Sequence, residues 1–345
     1  MKAICLTEKG DLATNKWGKL DCVELPMPQI QRDDDILIKI AYSSICGSDP
    51  LMLNGNMDVP VGIGFGHEMS GTIVDMGKGC NKRGLKVGDK VTGCFVHFCG
   101  ICENCRAGRE QFCTASKQNI VPTQAEYVVW SEDQVYKLPD GADLKTAALV
   151  EPLTISMRAV DKAEIHLGDN VAVSGGGGIG LMVLQLCKMA GASEVTLIEP
   201  VEGKRELGLA LGANDAIDPI DADLLQQIAE IVPGGYDVVI ECSGSGVAAE
   251  TALDIVRSSG HIVYLAMYPI QYRLPLDLSK YIYHKELRLD GLFLATYYFD
   301  PAIRMLKRMK LDPIIQKVYK LAECRQAYSD QLSGQYAKIV FDCSE

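Results

Sequence analysis

The sequence predicts a mixed α/β chain: a β-rich first domain, then a domain in which strands and helices alternate over a parallel sheet. Three observations carry this. Short β-branched runs follow one another closely before residue 140. From Asn170 onward, strand-like and helix-like stretches take turns. A glycine-rich turn at residues 175–180 joins the first strand of that alternation to its first helix. At 345 residues the chain has length for two domains and a sizeable core. Its 48% hydrophobic and 23% charged residues are ordinary for a soluble globular protein. A net charge of −11 with no basic run excludes nucleic acid and anionic membrane as expected partners. The apolar start, residues 1–6, is too short for a signal core. The uncharged stretch 170–187 holds Ser174, four consecutive glycines and Gln185, so it reads as strand–turn–helix and not as a membrane span. The expectation is a soluble, cytoplasmic protein.

In the first domain, residues 36–42 form a β-branched run fit for a strand, bounded by the loop around Pro26 and Pro28 and by Asp33, Asp34 and Asp35. Cys46-Gly47-Ser48-Asp49 follows, and later Gly66-His67-Glu68. A thiolate, an imidazole and a carboxylate are ligand types that suit zinc, and three protein ligands leave a fourth position open, as in a catalytic site. Asp49 is of the type that orients a ligating histidine, and Ser48 places a hydroxyl beside the first ligand. The alternative is that Cys46 is a small buried hydrophobe and His67 an ordinary loop residue. Residues 71–77 and 87–91 read as further strands.

Cys99, Cys102, Cys105 and Cys113 then crowd into one short lobe, about residues 94–115. Four thiolates at this spacing close a tetrahedral shell around one structural zinc; a redox dithiol and an iron–sulfur cluster are the competing readings. Thirteen cysteines without a secretion signal argue for metal and free thiols over a disulfide framework. Residues 125–130 and 135–140 resume β character.

Residues 151–163 read as a helix. Glu151 in its first turn lies near the metal or serves the helix dipole. Residues 171–174 are a buried strand, and Gly175, Gly177 and Gly180, with Ile179 between the last two, fit G-x-G-x-x-G. These glycines allow a tight turn and close approach of a pyrophosphate to the N-terminus of the helix over residues 181–190. The strand at 195–198 ends on Glu199, about 20 residues on, where an acid accepts the ribose 2′-hydroxyl and repels a 2′-phosphate. NAD is therefore expected over NADP, although Lys204 and Arg205 are residues that can hold the extra phosphate. A helix at 206–211, strands at 236–241 and 261–266 and a helix at 247–256 continue the alternation, with Ser243 beyond a strand end where a cofactor ring can lie. Residues 301–309 form an amphipathic helix and 337–341 a last strand that returns to the first domain.

Taken in order, Cys46-Gly47-Ser48-Asp49, Gly66-His67-Glu68, the four-cysteine set, Glu151-Pro152 and residues 175–180 with Glu199 resemble the zinc-dependent medium-chain dehydrogenase/reductase family. The likeness is to its polyol, butanediol and threonine dehydrogenase branch, and it spans essentially the whole chain. The resemblance implies a GroES-like β-barrel catalytic domain over residues 1–150, a Rossmann domain over 151–290 and a C-terminal return over 291–345. It implies two zinc ions per chain, NAD, and a zinc-held alcohol facing the nicotinamide in the cleft between the domains. Cys46, His67 and Glu68 are then the catalytic zinc ligands, Glu151 reaches the metal directly or through water, and Ser48 relays the hydroxyl proton. Family members are often homodimers or homotetramers.

Two positions depart from the pattern. Leu51 stands where many members carry a relay histidine. Residues 292–296 lack the arginine with which polyol-specific members hold substrate hydroxyls. Leu51, Met52, Leu53, Met57, Phe95, Phe98 and Leu294 together point to a bulkier apolar secondary alcohol, hydroxysteroid-like in character. The alternatives are a polyol, 2,3-butanediol or L-threonine dehydrogenase and, outside catalysis, an NAD(H)-binding structural or sensing protein.

Overall fold

The computed structural model describes residues 1–118, 122–221 and 223–344. The chain divides into two compact units, Met1–Thr154 with Ala295–Glu345, and Ile155–Leu294.

The first unit is built on the long strand Asp35–Ser44. Ile36, Ile38 and Ile40 alternate inward along it while Lys39 faces water, the period of two that a one-sided sheet demands. This strand sits inside a seven-stranded sheet of order Ile315–Lys320, Lys338–Asp342, Asp35–Ser44, Glu68–Met76, Lys90–Gly93, Val135–Lys137, with Tyr127–Ser131 also pairing Asp35–Ser44. The sheet packs on a core that includes Ile4, Leu6, Phe65, Met69, Trp130 and Phe341. Phe65 meets the edge of Tyr328, ring centroids 5.6 Å apart. The expected β-rich domain is therefore present. Its third predicted strand is displaced, because residues 87–89 form a turn with Gly88 at φ 92° and pairing begins only at Lys90.

The pairing of this sheet places the chemistry. Ser44 lies opposite Glu68 in the antiparallel ladder, so Cys46, just past the end of one strand, and His67, just before the start of the next, emerge together at one end of the sheet. Gly66 makes the approach possible: its φ is 90°, and a Cβ there would lie 2.6–2.8 Å from Gln124 and Thr123.

The second unit holds a fully parallel six-stranded sheet, in order Asp215–Ile217, Glu194–Ile198, Asn170–Ser174, Tyr236–Glu241, Val256–Tyr264, Arg288–Gly291. Numbered by sequence within the unit this is 3-2-1-4-5-6, the doubly wound dinucleotide-binding order, and it reverses between Asn170–Ser174 and Tyr236–Glu241. The strand expected over 261–266 begins earlier, at Val256, and ends at Tyr264. Helices Leu224–Ile231 and Cys324–Leu332 were not anticipated from the sequence. No helix among the described residues is long and apolar enough to cross a membrane.

Candidate metal and cofactor sites

At the sheet end of the first unit, one ligand atom each from Cys46, His67 and Glu68 lie within 4.8 Å of one another. Glu68 is buried, and its Oε2 faces the Lys338 ammonium at 2.5 Å and accepts from the Ser44 hydroxyl. Lys338, also buried, donates to the Ile45 carbonyl at 2.8 Å. Burial disfavours its ammonium, but Glu68 and Cys46 outweigh that and hold its pKa above the ordinary value.

Asp49 is fully buried. Its Oδ2 accepts from the Cys46 amide at 3.0 Å and from Gln124 Nε2 at 3.1 Å, with the Tyr328 hydroxyl 3.3 Å away. Its Oδ1 has no hydrogen-bond partner, so the expected bond to the His67 ring is not made among the described residues. Burial pushes the Asp49 carboxyl up, while His67 pulls it down. For His67, burial works against the charged ring, yet Cys46, Glu151 and Asp49 together carry it well above its usual value. The His67 ring also packs on Phe95, centroids 4.7 Å apart. Ser48 precedes the short helix Asp49–Leu53; its amide lies 3.5 Å from the Cys46 sulfur and its hydroxyl caps nothing.

Glu151 lies in the first turn of the helix Val150–Ala163 and is buried, but its carboxylate stands outside the three-ligand cluster. Burial raises its pKa to about 7 against the pull of His67, with Glu68 adding to the rise.

This donor set fits a divalent cation. A thiol, an imidazole and a carboxylate converge beside the buried carboxyls of Asp49 and Glu151, and such soft and hard donors together suit a cation like zinc.

The four-cysteine lobe fits a metal equally well. The sulfurs of Cys99, Cys102, Cys105 and Cys113 lie within 4.8 Å of one another, with Cys99 3.9 Å from Cys105 and 3.5 Å from Cys113. A tetrahedral shell with Zn–S bonds of about 2.3 Å places its sulfurs about 3.8 Å apart. Backbone amides point at the sulfurs, Cys102 N toward Cys99 and Cys99 N toward Cys113, and such donors lower the Cys99 and Cys102 thiols.

In the second unit, the glycine loop fits a dinucleotide. Gly175 has φ 100°, and a Cβ at Gly180 would lie 1.8 Å from the Gly175 carbonyl oxygen. A Cβ at Gly177 would meet nothing within 4 Å, so the backbone there borders open space. Gly177 begins the helix Gly178–Ala190 without a side-chain cap, leaving first-turn N–H groups for an anion; Ile179 is half-buried within that turn. Glu199 is buried and accepts from the Gly176 amide at 2.5 Å and the Val201 amide at 2.9 Å. Arg205 is committed to the Glu199 and Pro200 carbonyls and to Asp218, 2.9 Å away. Lys204 is buried, which lowers its pKa against the pull of Glu199. The Ser243 hydroxyl donates to Glu241 and accepts from the Ser245 amide at 3.1 Å, and the Ser243 amide also donates to Glu241 at 2.7 Å.

Sequence reasoning missed Lys338, Ser44, Gln124 and Tyr328. Lys338 alone left a trace, a charge heading the apolar run Ile339-Val340-Phe341. The proposed apolar pocket is not a unit. Leu53 belongs to the core, Met52 and Phe95 pack against that core, and Met57 is exposed.

Comparison with known proteins places this architecture. Residues 32–140 match the alcohol dehydrogenase GroES-like domain, and residues 178–310 match the zinc-binding dehydrogenase domain. The chain is 30% identical to a sorbitol dehydrogenase of Halalkalibacterium halodurans over 99% of its length and 98% of the relative's. It is 31% identical to a D-arabitol-phosphate dehydrogenase of Enterococcus avium, covering 94% of each chain. A crystal structure of a zinc-binding dehydrogenase from Clostridium scindens superposes with a TM-score of 0.94 at 37% identity, covering 100% of both chains. Another, from Sinorhizobium meliloti and bound to NADP, gives 0.88 at 29% identity over 99% and 98%. The chain belongs to the zinc-dependent medium-chain dehydrogenase/reductase family of alcohol dehydrogenases. It is an enzyme of that class, an NAD-dependent oxidoreductase acting on an alcohol. The hydroxysteroid-like substrate finds no support among these relatives, two of which are named for a polyol and a polyol phosphate.

Removing the Lys338 cation while leaving Glu68 buried should be costly. We expect Lys338→Met to lower unfolding stability by about 3–5 kcal/mol in urea titrations. A loss under about 1 kcal/mol would show that Glu68 does not depend on this partner.

Proposed function

We propose that this enzyme oxidises a small, polar secondary alcohol of the polyol type to the corresponding ketone, with NAD as hydride acceptor. The convergence of Cys46, His67 and Glu68 in a chain whose relatives include a sorbitol dehydrogenase is the observation that carries this reading.

Cys46, His67 and Glu68 would hold the catalytic zinc, and Cys99, Cys102, Cys105 and Cys113 the structural one. Bound at the first site, zinc supplies Lewis-acid activation of a hydroxyl. Asp49 fixes the Cys46 turn through the Cys46 amide, and its unpaired Oδ1 is the acceptor for the His67 ring N–H once that ring turns to a metal. Glu68 is held in place by Lys338 and Ser44. Glu151 stands buried beside the site without being fixed as a ligand. The uncommitted Ser48 hydroxyl beside Cys46 is the relay for the substrate proton.

On the cofactor, Gly175, Gly177, Ile179 and Gly180 take the pyrophosphate at the helix N-terminus. Glu199 and Lys204 flank the ribose hydroxyls, and Glu199 disfavours a 2′-phosphate while Arg205 is already neutralised by Asp218. NAD is therefore preferred, in contrast to the NADP carried by the Sinorhizobium meliloti structure. We extend the proposal to a homodimer or homotetramer, because Arg288–Gly291 ends its sheet and, among the described residues, pairs only with Val256–Tyr264.

The direct test follows NADH formation by zinc-replete enzyme with free and phosphorylated polyols, 2,3-butanediol, L-threonine and hydroxysteroids, each with NAD and NADP. Turnover of polyols with NAD, abolished in Cys46→Ala with the fold retained, is the expected result. Turnover confined to hydroxysteroids, or undiminished in Cys46→Ala, would refute the reading. Sedimentation equilibrium should return two or four chains per particle, and a monomer would remove the assembly proposal.

A further inference from the structure

The sheet order of the second unit reverses between Asn170–Ser174 and Tyr236–Glu241, and in such sheets the ligand crosses the carboxyl ends of the strands at the reversal. The pyrophosphate loop leaves the first of these strands and Glu199 stands at the end of Glu194–Ile198. The adenosine half therefore lies on that side. The nicotinamide half falls over the ends of Tyr236–Glu241 and Val256–Tyr264.

A fully buried carboxylate, Glu241, sits at that end. Its Oε1 accepts from the Ser243 amide at 2.7 Å and from the Ser243 hydroxyl; its Oε2 accepts from the Gly244 amide at 3.3 Å and from the Tyr268 hydroxyl. One carboxylate thus ties the turn after the fourth strand to the loop after the fifth. The two are in close contact, for a Cβ at Gly244 would lie 2.7 Å from the Met267 carbonyl oxygen. The same turn touches the pyrophosphate loop, since a Cβ at Gly175 would lie 2.9 Å from the Ser243 nitrogen.

The loop is also anchored at its start by the Leu265 and Ala266 amides, which donate to the Glu241 carbonyl at 3.0 and 3.3 Å, and at its far end by Leu274 and Leu276 packed on the core. Between these anchors Met267 and Ile270 point to solvent, and Tyr268 and Tyr272 turn inward. Tyr268 stacks on Tyr272 at 5.6 Å and meets Tyr264 edge-on at 6.4 Å. Tyr272 packs on Gly246, where a Cβ would lie 2.4 Å from its ring, and its hydroxyl donates to the Gly246 carbonyl at 3.0 Å. Burial, with Glu241 beside it, holds the Tyr268 phenol far above its usual pKa, so it remains a donor across the working range of pH.

We propose that Tyr268 is a positioning residue for the nicotinamide half of the cofactor: its hydroxyl, fastened to Glu241, fixes the loop after the fifth strand in register with the Ser243 turn. This rests on the reading of residues 175–180 and Glu199 as a dinucleotide site.

Tyr268→Phe keeps the aromatic stack and removes only the hydroxyl. Titration of the zinc-replete enzyme by calorimetry should show NADH binding weakened roughly tenfold. AMP, which fills the adenosine half alone, should bind within about twofold of wild type. The control is Tyr264→Phe, which removes a hydroxyl that donates to the Ala249 carbonyl at 3.1 Å on the adjoining helix. It should leave both ligands unchanged. Unaltered NADH binding in Tyr268→Phe would overturn the proposal, as would equal losses for NADH and AMP or equal losses in the two variants. A wild-type protein that binds AMP but not NADH would also overturn it while sparing the adenosine site. Binding neither would remove the dinucleotide reading on which it stands.

Discussion

Negative charge gathered at the end of one β-sheet is the constraint around which the first unit is built. The Ser44–Glu68 pairing brings two chain segments side by side, and each delivers donors: Cys46 and Asp49 from one, His67 and Glu68 from the other. Glu151 joins them from the helix that follows. Burial makes such a group unstable without cations, and Lys338 supplies one from the C-terminal strand. A dication held by the soft and hard donors together would satisfy the remainder, so that the chemistry and the fold would share one electrostatic requirement.

The second unit meets a different requirement, the approach of an anionic cofactor to bare backbone. Gly180 lies against the Gly175 carbonyl, which closes the turn, and Gly177 leaves room where the backbone must be reached. Buried carboxylates then act as scaffold as well as recognition. Glu199 gathers the Gly176 and Val201 amides, and Glu241 gathers Ser243, Gly244 and Tyr268. Each fixes a loop at the carboxyl end of the parallel sheet, the edge where doubly wound folds bind ligands.

Much of this was legible in the sequence, for reasons that differ by residue. Cys46, His67 and Glu68, and the four cysteines, stand in short motifs whose residue types admit few chemistries, so their convergence could be anticipated from local spacing. The parallel sheet was legible in the alternation of strand and helix, a periodic signal, whereas its order 3-2-1-4-5-6 and the strand Asp215–Ile217 were not. What escaped was set by distant pairing. Lys338 reaches Glu68 because strand Lys338–Asp342 pairs with Asp35–Ser44, and Gln124 and Tyr328 meet Asp49 across separations of 75 and 279 residues. The Asp49 oxygen that does bond is taken up by partners that no local motif announces: Oδ2 accepts from the Cys46 amide and from the distant Gln124, while Oδ1 stands without a partner. The apolar pocket failed because hydrophobic composition alone does not say which side chains face a site and which face the core. Leu53 took the second role.

On this reading, two separate donor sets in the chain would hold one metal ion each. Zinc content of the purified protein, measured by mass spectrometry against protein concentration, should be two ions per chain in the wild type and one in a variant that lacks both Cys46 and His67 while retaining its fold. A wild type with a single ion, or a variant that still holds two, would overturn the assignment of two metal sites.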